Sequence, residues 1–352
     1  MANEIVEIDG GFGEGGGQIL RTASSLSVVS GKPCHIFNIR KSRPKPGLAL
    51  QHLLGLRALN HLSNGKLEGD KLGSEEIWFY PGEIQPKDIE IKIETAGSIT
   101  LLLQTLILPC LFAPSVNSGQ SPQPVKISFK GGATDTFFSP TIDYFRYVFL
   151  GILEKILAKK AVDINIKQRG FYPEGGAEVE VEVYPSKLKK INLTERGVLR
   201  EIKVVSGASE SLKTKRVAER QAAASREILG KLKLPIEEKI KYYKSQSSGS
   251  QINITAFFEK TVIGTDNLGK LGKSAEEVGK QAAEEFLKEG KSNASLDKYM
   301  ADQILPFMAL SPDKSLISVS EITEHCKTNI WVIEKFLDGK FQIKNNLITW
   351  SS

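Results

Sequence analysis

Asp9-Gly-Gly-Phe-Gly-Glu-Gly-Gly-Gly-Gln-Ile-Leu-Arg21 joins an alternating strand, Glu4 to Ile8, to a helix that opens near Gly17. Six glycines within nine residues leave backbone N–H groups bare, so the loop can approach an anion closely at a helix N-terminus. The one acid inside it, Glu14, would repel a phosphate unless a divalent cation sat between them. Gln18, Arg21 and Ser25 follow at helical spacing on one face, which lets Arg21 point back to the same pocket. The plainer reading is a tight strand-to-helix turn with a solvated Glu and Arg. Two familiar phosphate loops do not fit. Gly11-x-Gly13-x-x-Gly16 matches the dinucleotide fingerprint, but the next strand, Cys34 to Arg40, ends in a base where a ribose-binding acid is needed. A P-loop needs Gly-Lys-Ser/Thr, and Gly16-Gly17-Gln18 stands there instead.

Outward from this loop, the first 185 residues carry one pattern twice. Strand 4–9, helix 17–30, strand 34–40, helix 48–63 and strands near 66–70 and 75–81 form the first unit. Strand 88–95, helix 97–113, strand 125–131, helix 139–157 and strands 162–168 and 177–184 form the second. The strands follow from alternation, as in Asp88-Ile-Glu-Ile-Lys-Ile-Glu94, and the helices from apolar spacing. Helix 297–310, strand 315–319, helix 328–338 and strands near 340–344 and 346–350 supply a third copy without its first strand. The lysine-rich stretch from 187 to 290 reads differently, as a small inserted α+β domain flanked by polar segments, Lys187–Lys190 and Glu289–Ser295, that suit hinges. The expected fold is therefore α+β. A large domain of three repeated units, each a four-stranded sheet with two helices, spans 1–186 and 291–352, and a small domain spans 187–290.

The 352 residues, 40% hydrophobic and 25% charged, match a globular chain of two domains. The longest apolar run, Leu101 to Ala113, is broken by Gln104 and Pro109, which argues against a membrane span. The short acidic start, Met1 to Glu7, does not resemble a signal peptide. Cys34, Cys110 and Cys326 are too few and scattered for a disulfide framework or a zinc site, which points to a reduced, cytoplasmic protein. The net charge of +6 permits an anionic partner.

Several clusters offer chemistry. Arg40, Lys41, Arg43 and Lys45 crowd the entrance of the helix that begins with Gln51 and His52, which suits a polyanion or, equally, a solvated loop. Gln104 and Thr100 lie one turn apart on a leucine-rich helix, where an amide needs partners. Loop 130–140 brings glycines and hydroxyls to a helix entrance. Arg169-Gly-Phe-Tyr-Pro-Glu-Gly-Gly176 reads as a turn, although aromatics beside bases also stack single-stranded nucleotides. Tyr299, Asp302, Gln303 and Pro306 share a helical face that can hold a purine or, more plainly, form a helix N-terminal turn with solvated acids. His325 is expected in a loop at the mouth of a helix opening near Thr328, where the dipole keeps the imidazole neutral. A loop histidine is also commonly inert.

These blocks, in this order, resemble the RNA 3'-terminal phosphate cyclases from Ile5 to about Leu337. The matching blocks are Asp9 to Arg21, Arg40-x-x-Arg43-x-Lys-Pro-Gly-Leu48, Gln51-His52, Ala96-Gly-Ser98 with Gln104, Gly170-Phe-Tyr-Pro-x-Gly-Gly176, Tyr299-x-Ala-Asp-Gln303 and His325-x-x-Thr-Asn329. The resemblance implies ATP-dependent conversion of an RNA 3'-phosphate to a 2',3'-cyclic phosphate through a histidine–AMP intermediate and an adenylylated RNA end. It implies that His325 is the nucleophile and that Gln104, Tyr299, Asp302, Gln303 and Pro306 bind ATP. It also implies that Arg21, Arg40, Arg43 and Gln51 grip phosphates or RNA, and that Glu14 holds a divalent metal, Mg or Mn. The implied partners are ATP and RNA with a 3'-phosphate end. Nucleolar cyclase-like proteins, which share the fold and act in ribosomal RNA processing without catalysis, are the alternative. They lack the histidine. The enolpyruvyl transferases of related repeat architecture use neither such an insert nor a covalent nucleotide.

Overall fold

The computed structural model describes residues 4–114 and 123–352, so the first three residues of the acidic start lie outside the described residues. The first unit runs β1 (Val6–Asp9), α1 (Gly17–Ser30), β2 (Cys34–Phe37), α2 (Leu50–Ser63), β3 (Lys66–Glu68) and β4 (Ile77–Tyr80). The second runs β5 (Ile89–Ser98), α3 (Ile99–Leu111), β6 (Val125–Ala133), α4 (Ile142–Tyr144), a π-turn over Phe145–Phe149 leading into α5 (Leu150–Ile156), β7 (Val162–Gln168) and β8 (Glu178–Val183). In β5 Ile89, Ile91 and Ile93 are buried while Glu90, Lys92 and Glu94 face water, the two-residue period expected of a sheet with one wet face. Ser98 caps α3 by accepting from the Leu101 N–H.

A two-residue strand, β9 (Asn192–Leu193), follows and belongs to the third sheet. The chain then builds β10 (Leu199–Ser209), α6 (Val217–Leu229), β11 (Ile236–Tyr243), β12 (Ser250–Phe258), β13 (Val262–Leu268) and α7 (Ala275–Lys291), the last opened by a Ser274/Glu277 capping box. It returns through α8 (Lys298–Leu310), β14 (Ser315–Ser318), α9 (Glu324–Phe336), β15 (Lys340–Lys344) and β16 (Leu347–Ser351). Three sheets, β1-β2-β4-β3, β5-β6-β8-β7 and β9-β14-β16-β15, share one order, with the first pair parallel and the others antiparallel. The fourth, β11-β10-β12-β13, is carried between β9 and β14 and has its own hydrophobic cluster around Ile202, Ile252, Ile254 and Phe286. This is the repeated α+β architecture with an additional sheet.

Local differences from the sequence reading have simple causes. β2 stops at Phe37, not Arg40, because Asn38 and Arg40 take left-handed backbone angles (φ 52° and 54°). The flank 289–295, expected as a hinge, is knitted into the fold. Arg196 donates to the Glu289 and Ala294 carbonyls, and the buried Ser295 hydroxyl donates to those of Leu193 and Ser318. α9 begins four residues earlier than expected, because Thr323 caps it by accepting from the Cys326 N–H. His325 is therefore in the first turn of a helix and not in a loop.

α1 packs against α2, α3 and α9, and α8 packs against α9. The long helices of three units thus meet one another, and the glycine loop leads into α1 at that junction.

Candidate active site

The glycine loop is pinned to α9. The Phe12 ring stacks on Trp331 at 4.2 Å, and a Cβ on Gly13 (φ 57°) would lie 2.7 Å from the Thr328 hydroxyl. This contact carries Glu14 to His325: Glu14 Oε2 lies 2.8 Å from His325 Nε2. On its other side His325 Nδ1 is 3.9 Å from Asp302 Oδ2. A nitrogen from the third unit is thereby enclosed by carboxylates from the first and third. Burial lowers the imidazole's pKa below 6.5. Glu14 opposes that shift, while Arg21 and Arg43 reinforce it. The dipole of α9 acts in the same direction as burial.

A cleft opens between four helices. It is lined from α1 by Gln18, Arg21, Thr22 and Ser25, from α3 by Gln104 and Leu108, from α8 by Asp302, Gln303, Pro306 and Phe307, and from α9 by Asn329. Gln104 donates to the Gln303 side chain at 2.7 Å, and Gln303 donates to the Tyr299 carbonyl at 2.6 Å. Asp302, only 16% exposed, is pushed up to about 7 by burial, with Arg21 pulling the other way. Burial brings Arg21 down to about 10, partly offset by Asp302. The structure thus brings Arg21, Gln104, Asp302, Gln303 and Pro306 into one cleft, with Glu14 and His325 linked to it through Asp302. Tyr299 does not line it. Its ring stands edge-on to Tyr144 at 6.4 Å and is 45% exposed.

The expected phosphate ligands lie beside the loop. Arg43 approaches Gly16, where a Cβ would meet its Nη2 at 3.3 Å. Arg40 donates to the Gly47 carbonyl at 2.8 Å, and burial lowers its pKa, with Arg43 adding to the effect. Gln51 accepts from the Ser98 N–H at 3.2 Å.

Three contributors appeared in the sequence motifs without being assigned to the site. Asn329 ties the cleft together: Thr22 donates to its Oδ1, and its amide donates to the Asp302 carbonyl. Its spacing of four from His325 was the available signal. Gln18 donates to the His325 carbonyl, while its buried Oε1 has no partner. His52 abuts Gly17, whose Cβ would lie 2.2 Å from Nε2; burial, with Arg21 and Arg40, holds its pKa down to about 3. Among the described residues no group of three or more His, Cys, Asp and Glu side chains could hold a metal. No helix among them is long and apolar enough to cross a membrane.

Three repeated sheets, a glycine loop at a helix entrance and a carboxylate-flanked histidine at a helix junction define a repeat-built protein with a polar cleft between the helices of its units. The sequence profile of the RNA 3'-terminal phosphate cyclase family matches residues 12–343, and the chain belongs to that family. It is 42% identical over 347 residues to the RNA 3'-terminal phosphate cyclase of Thermococcus kodakarensis, covering 98% of this chain and 96% of the relative. It is 42% identical to that of Pyrococcus abyssi (96% and 95% covered) and 44% identical to that of Saccharolobus islandicus (96% of each).

Proposed function

We propose that this chain is an ATP-consuming RNA 3'-terminal phosphate cyclase, acting in the cytoplasm, in which His325 is the nucleophile. The observation that carries the proposal is the approach of His325 to Glu14 across the α1–α9 junction, 2.8 Å apart although they lie at opposite ends of the chain. The non-catalytic alternative gives no role to a partly buried imidazole held in its neutral form.

The imidazole nitrogen would attack the α-phosphorus of ATP, forming a P–N bond as pyrophosphate leaves. AMP would pass from nitrogen to an oxygen of the RNA 3'-phosphate, and the vicinal 2'-OH would then close the ring and expel AMP. At 2.8 Å from Glu14 Oε2, the Nε2 N–H donates to the carboxylate. For Nε2 to attack, its lone pair must be free, with the proton on Nδ1, the nitrogen that lies 3.9 Å from Asp302. Attack by Nε2 therefore requires the His325–Glu14 contact to open. A divalent cation fits this demand, since magnesium sites commonly combine one or two carboxylates with substrate phosphate oxygens. Glu14 would hold the ion, which would offset phosphate charge. Arg21, Arg40, Arg43 and Gln51 would hold phosphates by charge-assisted bonds. Gln104, Asp302, Gln303 and Pro306 would hold the adenine, with Tyr299 at the mouth. The orphaned Gln18 Oε1 supports a ligand in this cleft.

The test is to mix purified protein with α-labelled ATP and a divalent metal, denature it and look for retained label. Label should be acid-labile and alkali-stable, as a phosphoramidate is. His325→Ala and His325→Asn should both lack it while keeping the fold. Label retained on His325→Ala, or never acquired by the wild type, would overturn the assignment.

A further inference from the structure

Two loops outside the cleft present aromatic rings to solvent. Phe137 and Tyr172 stand edge to face with centroids 5.8 Å apart, 39% and 56% exposed, and Phe138 beside them is fully exposed on left-handed backbone (φ 64°). Packing does not account for their outward faces. Their base is rigid: Thr134 and Asp135 N–H groups donate to the Gly170 carbonyl, and Arg169 binds Asp135 beneath. The patch continues to the phosphate ligands along a seam of bare backbone. A Cβ on Gly175 would meet the Gly132 carbonyl at 2.4 Å, one on Gly132 the Gly97 carbonyl at 3.0 Å, and one on Gly97 the Gln51 Cβ at 3.7 Å. In the other direction the Glu174 N–H donates to Ser247, and Ser248 contacts Ser211. Just beyond stand Lys213, Lys215 and Arg216, all exposed and with no salt bridge among the described residues, unlike Arg220, which is held by Glu276. Two exposed acids, Glu174 and Glu210, share this surface.

We infer that this surface is the track for single-stranded RNA leading to its 3'-phosphate. In this arrangement bases near the end stack on Phe137 and Tyr172, and the upstream backbone reaches Lys213, Lys215 and Arg216 of the inserted sheet. Interleaved rings and unpaired bases are the composition that binds single strands without sequence preference. Continuity with Gln51 favours RNA over a protein partner. The inference rests on the proposed RNA substrate and gives the inserted sheet a role in holding it.

The experiment measures anisotropy of labelled 3'-phosphorylated oligoribonucleotides of about 4 and about 12 nucleotides, so it does not depend on turnover. The Phe137→Ala/Tyr172→Ala double variant should bind both at least about fivefold more weakly, with Tyr172→Phe restoring its share. Replacing Lys213, Lys215 and Arg216 by alanine should weaken only the longer RNA and flatten its salt slope by about 2, at roughly 0.7 per phosphate contact. Unchanged affinity in the aromatic variant overturns the inference. So does a parallel loss of protein–AMP formation with ATP alone, which would assign the rings to the nucleotide. If wild-type protein binds RNA as described but never acquires AMP, the proposed reaction fails and the track stands.

Discussion

Asp302 and His325, 3.9 Å apart, are each shifted toward the neutral form, and the two shifts leave separate marks on the pH profile. As the proposed nucleophile, His325 must be neutral. Its lowered pKa keeps it so at pH 7, and protein–AMP formation should fall on an acidic limb that lies below 6.5. In its proposed contact with adenine, Asp302 must be ionised to accept from the amino group, and burial raises it to about 7. ATP should therefore bind more weakly as pH falls through about 7, a limb distinct from the histidine's. Asp302→Asn should remove that limb and leave the acidic one; a profile unchanged in both would deny Asp302 the role. Stability moves the opposite way. Asp302 has a folded pKa above its ordinary 3.8, so the native state holds this proton more tightly and loses stability as pH rises from about 4 to about 7. Asp302→Asn should accordingly melt no lower than wild type at pH 8, while losing ground at pH 5.

At the scale of elements, the glycine loop and α9 form one device, and only half of it was legible in the sequence. The loop announced itself through six glycines in nine residues, a density that ordinary turns do not need. The start of α9 did not. Thr323 looks like any loop threonine until its hydroxyl is seen capping Cys326, and that one hydrogen bond moves His325 from a loop into a helical turn. β9 was invisible for a different reason. Two residues carry no periodicity, and Asn192–Leu193 becomes a strand only by pairing with Leu316 and Ile317 far along the chain. The cleft-lining residues of α8, Asp302, Gln303 and Pro306, were legible from spacing, whereas Tyr299, one turn before them, stands outside the cleft with its ring against Tyr144 and Lys298. The loop–helix contact makes its own prediction. Gly13→Ala puts a Cβ where the Thr328 hydroxyl lies, at a backbone angle that costs an L-residue about 1–2 kcal/mol. The variant should lose protein–AMP formation by more than its modest drop in melting temperature explains. Gly13→Ala/Thr328→Ala should recover only the steric part. A fully active Gly13→Ala protein would show that Glu14 needs no help from α9.

Across the whole molecule, the inserted sheet is joined to the second unit by charge that the sequence disguised as a turn. Arg169, 5% exposed, bonds Asp135 at 3.1 Å and Asp143 at 2.7 Å, while Gln251 of β12 also donates to Asp143 and the Tyr243 ring of β11 lies 4.6 Å from the guanidinium. Burial opposes the arginine's charge, but Asp143 and Asp135 together outweigh it and raise the pKa; burial in turn raises that of Asp135. Removing Arg169 strands two carboxylates out of water, so Arg169→Ala should cost roughly 3–5 kcal/mol. That is a large share of a typical domain's stability. All three tryptophans, Trp78, Trp331 and Trp350, lie outside the inserted sheet, so their fluorescence follows the three-unit core, whereas far-ultraviolet dichroism follows both parts. In urea the two signals should coincide for wild type, because the Asp297 carboxylate, which accepts from Gly264 of β13, and Val262, buried in the main core, also bind the parts together. In Arg169→Ala the dichroism should begin to fall before the fluorescence, as the sheet around Gln251 and Tyr243 loses its anchor. Asp135→Asn/Asp143→Asn/Arg169→Met, which leaves no stranded charge, should bring the two curves back together. If Arg169→Ala keeps coincident curves and the wild-type midpoint, the cluster is not what holds the inserted sheet in place.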